Sequence, residues 1–257
     1  MCIIVVSYKQ HPDYPLVVAA NRDEFYRRRA APLAWWGDGK ILAGRDLGYA
    51  TLLGRLLSML GLRQLKPQGT WLGVNRQGRF AVVTNFREPG KESKTARSRG
   101  LLVQRYLDNA LSVADFAAEL TATRAEYNGF NLLFGTIDEL FYFSNRNDRG
   151  AMRLEPGLHA LSNAFLDTEW PKTERVRSAF AALPGMPPDP AAVFAMLHDS
   201  TRATPETVQQ TGLPLEIELV LSSIFIALPG YGTRASSYLT FSESGALSFA
   251  ERTYEKG

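Results

Sequence analysis

Cys2 stands directly behind Met1 and is the only cysteine in a chain of 257 residues. A residue this small at position two lets a methionine aminopeptidase remove Met1. The mature N-terminus would then carry a thiol and a free α-amine on one residue. A thiol nucleophile needs a neighbouring base or a lowered pKa. An α-amine titrates near about 7.7–8.0 and a thiol near about 8.5, so the pair is matched at neutral pH. The competing reading makes Cys2 a small hydrophobe at the head of a strand, since free cysteines are usually buried and inert.

The elements that must position this residue are readable from patterning. Cys2–Tyr8 and Leu16–Ala20 are β-rich runs joined by His11-Pro12-Asp13-Tyr14-Pro15, a turn by composition. A hairpin at the N-terminus brings residue 2 beside Asn21-Arg22-Asp23-Glu24, four polar groups at the end of the second strand. Further strands are expected at Ile41–Ala43, Thr70–Asn75 and Phe80–Asn85, the last two joined through Gln77-Gly78. Helical periodicity marks Leu101–Leu107 and Val113–Arg124, and strands return at Phe130–Thr136, Leu140–Ser144 and Leu158–Ser162. Helices fit Thr173–Ala182 and Ala191–Leu197, and strands fit Ser223–Leu228, Thr233–Thr240 and Leu247–Thr253. The apolar run Leu219–Leu228 reads as a buried strand. Hairpin-joined strands interrupted by helix pairs point to an α+β fold of antiparallel sheets with segregated helices.

Composition narrows the function. With 45% apolar, 11% aromatic and 21% charged residues, this is a globular chain with a sizeable core. One cysteine excludes an internal disulfide or a multi-cysteine metal site and suits a reducing compartment. No secretory signal and no span long enough for a bilayer is evident, so a cytoplasmic protein without a transmembrane segment is expected. The basic clusters Arg27–Arg29 and Lys91–Arg99 lack interleaved aromatics and read as solvated loops, so no nucleic-acid partner is expected. Their alternative use is attraction of an anionic ligand. His11, His159 and His198 are not spaced as metal ligands. Gly48–Gln68 carries leucines at helical spacing and reads as a surface helix; a lid, a dimer contact or a membrane-surface element are its alternatives.

Several blocks carry a resemblance. Met1-Cys2, Ala20–Glu24, Leu42-Ala43-Gly44-Arg45-Asp46, Gly69-Thr70-Trp71-Leu72-Gly73-Val74, Thr84-Asn85-Phe86-Arg87, Leu161-Ser162-Asn163 and Tyr231-Gly232-Thr233-Arg234 occur in order along nearly the whole chain. This pattern resembles the NRDE family, the transport and Golgi organisation protein 2-like proteins, and implies one domain over residues 1–257. The departure is Gly48–Gln68, an insertion between two blocks that nearly adjoin in the family. The family is similar in turn to N-terminal nucleophile hydrolases of the choloylglycine hydrolase and penicillin V acylase branch. That resemblance implies a four-layer αββα sandwich with the N-terminal residue at a pocket between the sheets.

It also implies a chemistry: a cysteine N-terminal amidohydrolase acting on a small amide, acyl conjugate or thioester, with no cofactor. Asn85 and Asn163 end strand-like runs and offer amide donors for an oxyanion; they also suit turns that satisfy local backbone. By resemblance Asp23 would anchor the α-amine, while Arg22 and Arg234 would favour the thiolate. Those hydrolases usually place Arg three residues ahead of Asp, whereas Arg22 and Asp23 are adjacent here. Glu24 is therefore an alternative to Asp23, with a structural ion pair to Arg22 or Arg45 as the other use of these acids. Arg234 has the further reading of a surface cation. The alternative function is a non-catalytic carrier of haem or an acyl or lipid-type ligand, with Cys2 or His159 as axial ligand.

Overall fold

The computed structural model describes residues 2–49, 69–108 and 111–255. Gly48 and Tyr49 end a strand, and the rest of the expected 48–68 insertion lies outside the described residues. Among the described residues two antiparallel sheets form. The first orders β10 (Gly157–Leu161), β1 (Cys2–Tyr8), β2 (Leu16–Phe25), β12 (Tyr231–Phe241) and β11 (Ala227–Leu228), with β13 (Leu247–Thr253) also pairing β12. The second runs from β3 (Arg28–Trp35) through β4 (Ile41–Tyr49), β5 (Leu72–Asn75), β6 (Phe80–Asn85), β7 (Phe130–Gly135) and β8 (Leu140–Ser144) to β9 (Met152–Arg153).

Strand alternation sorts the side chains into layers. Ile4, Val6 and Tyr8 of β1 join Val18 and Ala20 of β2 against Leu72, Val74, Val82 and Leu133 of the other sheet. Ile3, Val5, Val17 and Ala19 point the opposite way, onto α3 (Pro171–Ala181) and α4 (Pro190–Leu197) through Val176, Phe180, Val193 and Leu197. The outer face of the second sheet meets α1 (Gly100–Asp108) and α2 (Val113–Thr123), where Tyr106, Phe116 and Phe134 pack edge-on and tilted. The result is the four-layer αββα sandwich expected. Covering on both faces explains why all seven residues of β1 are buried.

Two expectations change. Leu219–Leu228 is not one strand: residues Leu215–Leu221 form α5, and only Ala227–Leu228 is strand. A short apolar run cannot separate the two states by periodicity. Pro214 caps the helix start and Glu216 and Glu218 fill its first turn, where the dipole favours acids. The Arg27–Arg29 cluster is not wholly loop, because Arg28 begins the edge strand β3. Arg28 and Arg29 pair with Tyr49 and Gly48 of β4.

Candidate active site

Register places Cys2. In the β1–β2 hairpin, Cys2 lies opposite Arg22, and Ile3 opposite Asn21. Alternation then puts Cys2 and Arg22 on the inter-sheet face. It puts Asn21 and Asp23 on the helix face, where Asn21 Nδ2 donates to the carbonyls of Leu197 and Ile224. Cys2 opens onto a cavity of about 230 Å³ shared with Arg22, Asp23, Glu24, Trp71 and Asn85. Its far rim is formed by Arg28, Asp46 and residues 96–100.

Hydrogen bonds fix this end of the strand. Ser162 Oγ, just past β10, donates to the Cys2 carbonyl at 2.9 Å. Asn163 Nδ2 donates to the Asn85 carbonyl at 2.8 Å, and the Arg87 backbone N–H donates to the Asn163 carbonyl at 2.7 Å. These two bonds tie the end of β10 to the end of β6 across the sheets. Asn85 lines the cavity, while Asn163 has committed one N–H to the tie. An amide nitrogen has two donors, so one remains.

The charges are organised around Asp46. Arg28 Nε approaches its Oδ2 at 2.9 Å, Arg22 Nη2 at 3.5 Å, and the Gly48 N–H donates to its Oδ1. Glu24 is 4.0 Å from Arg22. The Arg22 guanidinium also lies 4.7 Å from the Trp71 ring, a cation–π contact. The structural ion pair weighed for Arg22 thus exists, but its principal partner is Asp46; Arg45 instead stacks on Trp36 at 4.0 Å. Asp23 Oδ1 accepts from Thr233 Oγ1 at 2.8 Å, and the same hydroxyl accepts from the Ile226 N–H.

Burial dominates the titration of the site. It pushes the Cys2 thiol up; Asp23 adds to that and Arg22 opposes it. Burial likewise raises Asp23, countered by Lys172, the Thr233 hydroxyl and Arg22. At neutral pH the thiol thus needs a base to become a nucleophile.

The structure sets two candidates apart from the cavity lining: Asn163, whose amide is held on the Asn85 carbonyl, and Arg234. Arg234 donates to the carbonyls of Tyr254 and Tyr26, at 3.1 and 2.8 Å, and faces a second cavity beside Glu251. It clamps the β2–β3 turn to the C-terminal segment and does not line the Cys2 cavity. Cys2, Arg22, Asp23 and Asn85 do converge there. Sequence reasoning gave no role to Asp46, Ser162, Thr233 or Lys172. The first three sat within recognised blocks; Lys172, after a proline at a helix start, carries no signal.

The haem reading fits poorly. His159 engages Asp167 at 2.7 Å through Nδ1 and the Glu155 carbonyl at 2.9 Å through Nε2, leaving no free ring nitrogen for iron. The Cys2 cavity is lined by Arg22, Asp23, Glu24, Arg28 and Asp46 rather than by the apolar surface a porphyrin needs. Among the described residues no group of three metal-ligating side chains occurs, and no helix is long and apolar enough to cross a membrane.

The profile of the family described as Transport and Golgi organisation 2 matches residues 1–256. The Transport and Golgi organization protein 2 homolog of Bos taurus is 31% identical over 272 residues, covering 98% of this chain and 93% of its own length. The Homo sapiens homolog is 29% identical over 271 residues with the same coverage. Among solved structures, penicillin V acylase from Agrobacterium tumefaciens aligns with a TM-score of 0.44 and 13% identity, over 96% of this chain and 85% of its own. A mutant conjugated bile acid hydrolase from Clostridium perfringens gives 0.44 and 10%, over 100% and 97%. The profile match and the 31% relative confirm the kinship read from the sequence blocks: the chain belongs to the Transport and Golgi organisation 2 family.

Proposed function

We propose that the chain is a cysteine N-terminal nucleophile amidohydrolase acting on a small amide, acyl conjugate or thioester. The observation that carries this reading is the meeting of Cys2, Arg22, Asp23 and Asn85 on one cavity at the start of the chain. After loss of Met1, the Cys2 α-amine accepts the thiol proton. The sulfur attacks the carbonyl carbon and forms a C–S bond. The leaving amine or thiol departs with its electron pair and takes the proton back from the α-ammonium. Water, deprotonated by the same amine, then cleaves the acyl-enzyme to a carboxylic acid and the free thiol. Asn85 and the remaining N–H of Asn163 are the oxyanion donors of this scheme, where loss of one donor costs roughly 10²–10³ in rate. Arg22 favours the thiolate and Asp23 orients the amine. The cavity volume suits a compact acyl or amide head group, since drug-sized ligands occupy about 300–1,000 Å³.

The test is acylation of Cys2 by an activated thioester, read by intact mass and peptide mapping. A mass gain on the peptide beginning with Cys2, absent from Cys2→Ala and from chains retaining Met1, is the expected result. Folded, Met1-free protein that never acylates overturns the reading.

A further inference from the structure

Lys172 is the side chain whose burial stability alone explains least. It is 0% exposed and is the second residue of α3. Among the described residues its Nζ has no hydrogen-bond partner. The start of a helix disfavours a cation, and an unpaired buried ammonium is costly. A methionine would fill much the same space without either penalty.

Its position gives the reason. Helix α3 packs on β1 and β10, so its first turn lies at the Cys2 end of β1. Trp170, two residues earlier, stacks under Arg87 at 4.9 Å, and Arg87 is the residue tied to Asn163. Asp23 points to this same helix face of its sheet. The charged groups acting on Lys172 are Arg87, which follows β6, Asp23 of β2, Cys2 of β1 and Glu218 of α5. Helix α4 carries no titratable side chain, the His159 of β10 is closed on Asp167, and Glu174 of α3 itself is paired with Arg177. Burial, reinforced by Arg87, brings Lys172 down to about 7, with Asp23, Cys2 and Glu218 pulling upward. The effect on Asp23 is reciprocal: the Lys172 charge holds its carboxyl down against burial.

We propose that Lys172 is a positioning residue of the Cys2 site: its buried ammonium keeps Asp23 ionised and favours the Cys2 thiolate, and its loss of a proton withdraws that support. The purpose of this arrangement rests on the acyl-transfer reading, but the electrostatic coupling needs no substrate. Only a proton moves in this step, between the Lys172 amine and solvent or a neighbouring site group.

The experiment measures alkylation of Cys2 by iodoacetamide from about pH 5 to about pH 10 in wild type, Lys172→Met and Lys172→Arg. With one cysteine in the chain, the label is unambiguous. Where Lys172 still holds its proton, at and below about pH 7, Lys172→Met should label up to roughly tenfold more slowly than wild type. The two rates should converge at higher pH, where wild type has lost that charge, while Lys172→Arg labels at least as fast as wild type throughout. Superimposable wild-type and Lys172→Met profiles overturn the proposal. Should Lys172→Met not fold, carbon-13 NMR of wild-type lysine ε-methylenes decides, with Lys172 assigned by its absence from Lys172→Arg. A lysine titrating near neutrality whose midpoint falls in Asp23→Asn supports the coupling; one unmoved by Asp23→Asn refutes it. The two readings fail separately. A shifted profile without acylation of Cys2 by thioesters sinks the hydrolase and keeps the coupling, and acylation with superimposable profiles does the reverse.

Discussion

Glu218→Gln isolates the charge pair that braces the cavity from behind. Glu218 Oε2 lies 2.8 Å from Arg87 Nη1, and the two side chains are 3% and 5% exposed, so solvent screening is slight. The carboxylate also accepts from Gln209 Nε2 at 3.1 Å and from the Thr211 N–H at 2.8 Å. Glutamine keeps the shape and an acceptor for Thr211 but removes the negative charge facing the guanidinium. Breaking a buried pair from one side costs about 3–5 kcal/mol. The Trp170 ring, 4.9 Å from Arg87, offsets part of that, so the lower end, about 3 kcal/mol, is expected. For a domain of this size each kcal/mol moves Tm by about 2–4 °C, giving a fall of about 6–12 °C in calorimetry at pH 7. The pH dependence supplies a second check. Burial raises Glu218, yet the Thr211 and Gln209 hydrogen bonds and Arg87 outweigh it, leaving the group below its ordinary value of 4.5. Its stabilisation is therefore present above the unfolded pKa and is lost as pH falls through the lower folded one. The wild-type advantage over Glu218→Gln should shrink in acid. A variant within about 1 kcal/mol of wild type at pH 7, or a gap that ignores pH, refutes the reasoning.

Other substitutions test other parts of the site. Lys172→Met should stabilise the protein in urea titrations at and below pH 7. The gain should fade toward pH 10.5, because a lysine held near 7 when folded and 10.5 when unfolded penalises folding most while both states want the proton. Thr233→Val removes the hydroxyl between Asp23 and the Ile226 N–H and should cost about 1–3 kcal/mol by denaturant unfolding. It should also slow Cys2 acylation. Gly44→Ala would place a methyl 2.3 Å from the Trp71 ring, displacing the surface on which Arg22 stacks. A loss of about 1–3 kcal/mol is expected, with altered tryptophan fluorescence as the marker.

How much of this was legible in the sequence depended on whether local pattern or distant partners decided the outcome. The β1–β2 hairpin was readable because its turn residues and β-branched runs are local, and from it followed the neighbourhood of Cys2 and Arg22. Strand β3 was hidden because it lies at a sheet edge with much of its surface exposed, so its arginines resembled a loop. Arg234 had the right chemistry for the site, but its orientation is set by carbonyls of Tyr26 and Tyr254 that its own neighbours in sequence do not announce. Lys172 was invisible for a related reason. Its environment is assembled from β1, β2, the segment after β6 and α5, far apart in sequence.

The paired bonds between Asn163, Asn85 and Arg87 act as a stitch holding two walls at one seam. Because the sulfur rides on one wall and the Asn85 amide on the other, the gap between them is a property of the scaffold and does not wait for a guest to define it. Variation in what the chamber admits is left to the unstitched side, where Arg97 and Arg99 pair with Glu126 and Glu92, and residues there can diversify without disturbing the Arg28–Asp46–Arg22 cluster beside Cys2.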